Sequence, residues 1–156
     1  MPSRRDQIAL TPAEQREYLE SSHTIILTTI DRRGYPHSVA MWYAVDPADG
    51  AVVMTTFRKS QKVKNIERDP RCALLIESGR EYAKLKGLLI RGRATIEDGK
   101  EHVLDVLERI SQKYHGTSGQ GVRQAMAGQA AKRVVLRVVP ERISSWDHSK
   151  LAPGVY

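Results

Sequence analysis

The chain has one cysteine, Cys72, in 156 residues, so no intrachain disulfide can form and a reducing, cytoplasmic setting is expected. Cys72 sits inside RCALLIE, which reads as a buried strand, and its expected role is that of a small core hydrophobe. No apolar run approaches the ~20 residues that a membrane-spanning helix needs. The opening MPSRRDQIAL has two arginines but neither the apolar stretch nor the small-residue cleavage site of a signal peptide. Aromatic residues make up only 6% of the chain, and Phe57 is the one phenylalanine. The basic segments therefore lack the interleaved rings that stack on single-stranded bases, which argues against a nucleic-acid binder. The five histidines never recur at i, i+4, and a lone cysteine cannot complete a zinc set, so no metal site is expected. There is no Gly-x-Ser-x-Gly elbow for a hydrolase nucleophile. Gly116 to Gly121 has its glycines in the wrong order for a dinucleotide fingerprint. Gly87 and Gly92 have the spacing of a phosphate-binding loop, but Arg93-Ala94 follows them. No residue stands out as a general acid, a general base or an activated nucleophile, so no catalytic side chain is assigned.

What is present is a basic chain with 25 Lys and Arg against 18 Asp and Glu, a net charge of +7. Such a surface suits an anionic partner: nucleic acid, a membrane surface or a phosphorylated small molecule. Thr11-Pro12-Ala13-Glu14 offers an N-cap, a proline at the first helical position and a capping-box glutamate. Thr24 to Ile30, rich in β-branched residues, reads as a first strand. Two more strands are expected from Tyr35 to Val45 and from Ala51 to Thr56, separated by the turn Asp46 to Gly50. Ser60 is expected to cap a short helix that ends at Asp69-Pro70. Arg71 to Glu77 and Leu85 to Glu97 read as strands four and five. Val103, Leu107, Ile110 and Tyr114 form one apolar helical stripe after Gly99. A second helical stretch is expected from Val122 to Ala131. A sixth strand, Arg133 to Val139, is expected to stop at Pro140, with a short extended piece from Arg142 to Trp146. Short turns join antiparallel neighbours. Six strands with a few peripheral helices point to a mainly β fold, a small antiparallel barrel.

The segment Arg58 to Arg71, RKSQKVKNIERDPR, concentrates six basic and two acidic residues. It follows Thr55-Thr56 at a strand end and turns into a helix whose first turn carries Ser60 and Lys62. Free backbone N–H groups and the positive end of the helix dipole lie there. Hydroxyls and lysines add donors and charge. The chemistry is that of a phosphate cradle without a glycine loop.

These residues, in this order, resemble the pyridoxamine 5′-phosphate oxidase-like split β-barrel superfamily. The resemblance rests on Gly34-Tyr35-Pro36, Thr55-Thr56, Ser60-Gln61-Lys62, and Asn65 through Asp69-Pro70-Arg71. Gly92-Arg93-Ala94 and the ending Pro140-Glu141-Arg142-Ile143-Ser144-Ser145-Trp146 also fit. It covers roughly Thr11 to Trp146. Within the superfamily the chain is most similar to the actinobacterial branch that uses the deazaflavin coenzyme F420. The features are Lys62-x-Lys64-Asn65-Ile66-x-Arg68-Asp69-Pro70-Arg71 and the tail Trp146 to Leu151. The Arg-x-His that FMN-dependent pyridoxamine phosphate oxidases carry near the C-terminus is missing.

The resemblance implies a six-stranded split β-barrel of the FMN-binding kind, spanning residues 1–156 as one cofactor-binding domain. Residues 1–10 would be an N-terminal extension and residues 147–156 a polar tail. It implies an F420-dependent oxidoreductase that transfers a hydride to or from a small organic substrate. An FMN-dependent oxidase or reductase, and a carrier of flavin, deazaflavin or haem, are the alternatives. It further implies a homodimer with cofactor sites at the interface. Met41, Trp42, Thr55 and Thr56 are expected along the ring and sugar-like chain, although Met41 and Trp42 also fit a barrel core. Arg58, Ser60, Lys62 and Lys64 are expected to hold phosphate, with Lys64 reaching an acidic glutamyl tail. Lys86 and Trp146 are expected from the partner subunit. A cofactor that carries the hard chemistry fits the absence of an acid or base.

Overall fold

In the computed structural model, residues 3–152 and 154 are described. Ser3 and Asp6 form a reciprocal capping box, with Ser3 N donating to Asp6 Oδ2 at 2.9 Å, and this opens α1 (Arg4–Ile8). Thr11 does the same for α2 (Pro12–Ser21), its N–H donating to Glu14 Oε2 at 2.7 Å. Strands β1 (Ile25–Ile30) and β2 (Pro36–Met41) form a hairpin. Its turn is fastened by the Asp31 carboxylate, which accepts from the N–H groups of Arg33 and Tyr35 at 2.7 and 2.9 Å.

The expected second strand, Tyr35 to Val45, is broken in two. Its last part is the separate strand β3 (Ala44–Val45), which pairs with β4 (Val52–Phe57) rather than continuing beside β1. Tyr43 explains the break. Its ring is fully buried, and its hydroxyl donates to the carbonyls of Leu19 at 2.5 Å and Ser22 at 3.1 Å. Its backbone N–H donates to Tyr114 Oη at 3.2 Å, so it leaves the ladder.

After β4 come α3 (Gln61–Arg68), β5 (Arg71–Ser78), β6 (Lys86–Glu97), α4 (Lys100–His115), α5 (Gln120–Ala130) and β7 (Arg133–Asp147). Pro140 does not stop the last strand. Gly92 pairs with Pro140 and Arg91 with Arg142, which leaves Glu141 unpaired in a bulge. A bulge needs no ladder N–H at the proline, so the strand runs on to Asp147. Gly92 permits the close approach, since a Cβ there would lie 2.6 Å from the Val139 carbonyl oxygen. The sheet therefore has seven strands, not six, in the order β2-β1-β5-β6-β7-β4-β3. It is a curled antiparallel sheet with peripheral helices, the mainly β barrel-like class expected from the sequence. Beyond β7, Asp147 caps a single turn, His148–Lys150. Lys150 Nζ donates to the Ala9 carbonyl at 2.9 Å and so ties this turn to the N-terminal segment. Residues 1, 2, 153, 155 and 156 of the expected extension and tail lie outside the described residues.

Two cores flank the sheet. One fills its concave side with Leu27, Met54, Leu74, Ile90 and Leu136, closed by Val63 and Ile66 of α3. The other lies between α4 and the outer side of β4 and β7, where Val103, Leu107 and Ile110 meet Val53 and Val135. Alternation along β4 and β7 assigns successive residues to the two cores. Arg123 fastens α5 to α4 through Glu101, Asp105 and Glu108, at 2.8, 2.6 and 3.1 Å. No helix is long and apolar enough to cross a membrane among the described residues.

Lys113 of α4 places Nζ 3.5 Å from the centroid of the Tyr43 ring. Burial pulls its pKa down to about 8, with Glu20 acting in the opposite direction. An unfolded lysine titrates near ~10.4. Between about pH 8 and pH 10 the unfolded chain therefore binds more protons at this position than the folded chain. Stability from this group rises with pH across that window. Urea melts of Lys113→Met are expected to lack that rise. A slope identical to that of the parent chain would contradict the burial of this amine.

Candidate functional site

The end of β4, the turn after it and the start of α3 bring Thr55, Thr56, Ser60 and Lys62 together. Lys62 Nζ donates to Thr56 Oγ1 at 3.0 Å, and Thr56 Oγ1 lies 3.3 Å from Ser60 Oγ. With the ammonium as donor, the Thr56 proton can point to Ser60, which leaves the Ser60 proton for another acceptor. Ser60 occupies the N-cap position of α3, yet its hydroxyl bonds no helix N–H. The expected serine cap is therefore not formed, because the hydroxyl turns toward Thr56. The first-turn N–H groups of α3 have no side-chain cap, and they point where an anion is favoured. The Lys62 pKa is lowered by burial first and by the charge of Arg133 second.

Asn65 anchors this helix. It is fully buried, its Nδ2 donates to Thr29 Oγ1 at 3.0 Å, and its Oδ1 accepts from Gln61 Nε2 at 2.8 Å. Thr29 of β1 is fully buried too. Asp69 and Arg71 close the helix on the other side. Arg71 Nε donates to Asp69 Oδ1 at 2.9 Å and Nη2 to Oδ2 at 2.6 Å. These bonds hold the Asp69 carboxyl at about 2, well below the usual carboxylate range.

Arg133 adjoins this group, and sequence reasoning did not single it out. It pairs with Phe57 across β4 and β7, and its guanidinium carbon lies 4.4 Å from the Phe57 ring centroid. Its Nη1 is 3.4 Å from both the carbonyl oxygen and the hydroxyl of Thr55. Its Nε is buried without a hydrogen-bond partner among the described residues. Nothing near Arg133 in sequence marks it, since only the strand register brings it to Thr55.

The other expected site residues lie apart from this group. Arg58 turns outward to an ion pair with Asp98, with about half of its side chain exposed. Lys64 lines a separate, mostly basic cleft of about 520 Å³ with Arg32, Arg33, His37, Gln61, Arg68 and one carboxylate, Asp31. Met41 packs at the edge of the concave core. Trp42 is no core residue. It is 49% exposed and stacks on Tyr114 with centroids 4.3 Å apart and planes 7° from parallel. Among the described residues no hydrogen bond or ring contact joins Met41 or Trp42 to the Thr56–Lys62 group. Lys86 pairs with Asp147 at 3.6 Å and lies 4.8 Å over the Tyr18 ring. Trp146 covers Gly87, where a Cβ would meet the indole at 2.1 Å. Lys86 and Trp146 sit at one end of the 12-residue strand β6, while Thr55 and Thr56 lie toward its other end through Val134 and Val135. At ~3.3 Å per residue those ends are on the order of 30 Å apart. Cys72 is buried in β5, and burial pushes its thiol up to about 11.

The donor set at Thr55 to Lys62 fits a phosphoryl group: one ammonium, hydroxyls and uncapped helix N–H groups, with no carboxylate bonded to Lys62 among the described residues. A profile of the family described as pyridoxamine 5′-phosphate oxidase matches residues 11–147. The chain is 27% identical over 126 residues to an F420H(2)-dependent biliverdin reductase of Mycobacterium tuberculosis (strain CDC 1551 / Oshkosh), covering 81% of each chain. A solved structure of a conserved hypothetical protein from Mycobacterium tuberculosis superposes with a TM-score of 0.90 at 36% identity, over 99% of this chain and 96% of that one. A structure named F420 reductase shares the fold, with a TM-score of 0.64 at 24% identity, over 86% of this chain and 98% of the other.

Proposed function

The chain belongs to the pyridoxamine 5′-phosphate oxidase family, and from that premise we propose that it is an F420-dependent oxidoreductase acting on a small organic substrate. The observation that carries the reading is the Lys62 ammonium beside Thr56, Ser60 and the uncapped start of α3. This group holds the phosphoryl of the cofactor, with Thr55 beside it. Arg58 contributes little there, because Asp98 already neutralises it. Two points favour deazaflavin over FMN. The basic cleft at Lys64, Arg68, Arg32 and Arg33 adjoins α3 and suits the acidic tail that F420 carries and FMN lacks. The relative described above is an F420H(2)-dependent reductase.

When bound, the deazaflavin supplies hydride chemistry, and the residues of this chain bind and orient. Trp42, half exposed and braced on Tyr114, offers a flat apolar wall for a ring, with Met41 beside it. Lys86 and Trp146 are too far along β6 to join the cradle of their own chain. In the homodimer that the resemblance implies, they would face the cradle of a second copy. Sedimentation of the purified protein at micromolar concentration is expected to give about twice 17.6 kDa. A monomer that retains F420 on dialysis would refute the shared site. FMN remains the second reading, because a phosphoryl cradle is common to both cofactors. Equilibrium dialysis against F420 and against FMN tests the cofactor assignment, and retention of neither would contradict it.

A further inference from the structure

Four partly buried cations of this protein are neutralised by carboxylates. Arg123, 22% exposed, meets three of them. Arg137, 19% exposed, meets Asp46 at 2.9 Å and also Asp49. Lys86 has Asp147 and Lys150 has Glu14. Lys113 has the face of Tyr43 instead. Lys62 and Arg133 break the pattern together. Neither has an ion pair among the described residues, both are partly desolvated, and each stands on one of two consecutive threonines. Lys62 bonds Thr56, on the concave side of β4, and Arg133 bonds Thr55, on the outer side. They are close enough for the charge of Arg133 to disfavour protonation of Lys62. Two like charges near one strand end, without a counter-ion, raise the energy of the folded chain. An incoming anion removes that cost.

We propose that Arg133 is a second anion-binding residue at the end of β4, on the opposite face of the strand from Lys62, so that the ligand must bring two negative charges around that strand end. This rests on the reading that Lys62 and its neighbours hold the cofactor phosphoryl. The guanidinium keeps donor capacity for the second charge, since its Nη1 makes only two long contacts of 3.4 Å to Thr55 and its Nε bonds nothing among the described residues. The exposed Phe57 ring forms the wall behind the guanidinium. The shared chemistry is a phosphorylated ring cofactor with charge −2 at this end. In FMN both charges belong to one phosphomonoester. In F420 one belongs to the phosphodiester and the next to a carboxylate of the tail. A neutral ribityl chain has no use for Arg133.

The test is a set of binding titrations on the full chain with FMN, riboflavin, F420 and the corresponding phosphate-free deazaflavin. Arg133→Met is expected to weaken FMN and F420 binding ten- to hundredfold, about the worth of a charge-assisted contact. It is expected to leave riboflavin and the phosphate-free deazaflavin unchanged. Arg133→Lys should recover most of the loss, which a merely structural role would not predict. A loss with F420 alone places the second charge on the tail carboxylate, and a loss with FMN as well places it within reach of the phosphate. Equal losses with charged and uncharged ligands would overturn the proposal, as would unchanged affinity for both charged ligands. Lys62→Met in the same series separates the two readings. If it leaves FMN and F420 binding intact while Arg133→Met does not, the cradle assignment falls and Arg133 alone holds the charge.

Discussion

Lys62→Met is expected to weaken cofactor binding ten- to hundredfold while the chain stays folded. The substitution keeps the aliphatic stem that packs beside β4 and removes the ammonium. A hydrogen bond to a charged group is worth about 1.5–3 kcal/mol, which is the stated range in affinity. The folded chain has little to lose. Burial and the charge of Arg133 already disfavour this charge, and among the described residues its one hydrogen-bond partner is the neutral Thr56 hydroxyl. Thermal stability without cofactor is therefore expected to hold or rise slightly. Fluorescence titration of the variant beside a melt of the same sample measures both. Unchanged affinity would place the phosphoryl elsewhere, and a large drop in melting temperature would make Lys62 a structural residue.

The opposite pattern is expected of Asn65→Ala, where stability falls first. Asn65 is fully buried, and its amide bridges Thr29 of β1 and Gln61 in the first turn of α3. Its removal deletes both bonds and leaves the buried Thr29 hydroxyl without this partner. Each lost bond costs about 1 kcal/mol and the stranded hydroxyl adds a further penalty, in total about 2–3 kcal/mol. For a chain of this size that is a fall in melting temperature of roughly 5–10 °C. Because α3 carries Ser60 and Lys62, cofactor affinity falls with it. Thr29→Val in the Asn65→Ala background should add little, since the bond is already gone. Additive losses would show that the two residues do not act as one unit.

Much of this architecture could be read from the residues in order. The capping box at Thr11, the β-branched first strand and the short helix after Ser60 each follow from local chemistry, and each stands close to its expected place. The departures have tertiary causes. Tyr43 pulls the second strand apart because its hydroxyl finds carbonyls of α2 and the residue after it, which no local pattern announces. Pro140 signals a strand end, but a bulge opposite Gly92 absorbs it. Ser60 has the right place for a cap and the wrong partner, because Thr56 lies four residues back on a neighbouring strand end. That Thr56, Ser60 and Lys62 come together was legible because strand, turn and helix follow one another in sequence. Arg133 was not, because it reaches Thr55 only through the pairing of β4 with β7. The separation of Lys86 and Trp146 from the cradle likewise depends on the length and register of β6.

In the proposed function, the group at Thr55 to Lys62 and the basic cleft beside α3 select a deazaflavin with an acidic tail. Parallel titrations of the purified protein with F420 and FMN, at low and high salt, test it most directly. F420 is expected to bind more tightly at low salt. Its advantage should shrink as salt rises, because exposed charges such as Lys64 and Arg68 are screened over a Debye length of ~8 Å at physiological ionic strength. Tighter binding of FMN at both salt concentrations would contradict the account.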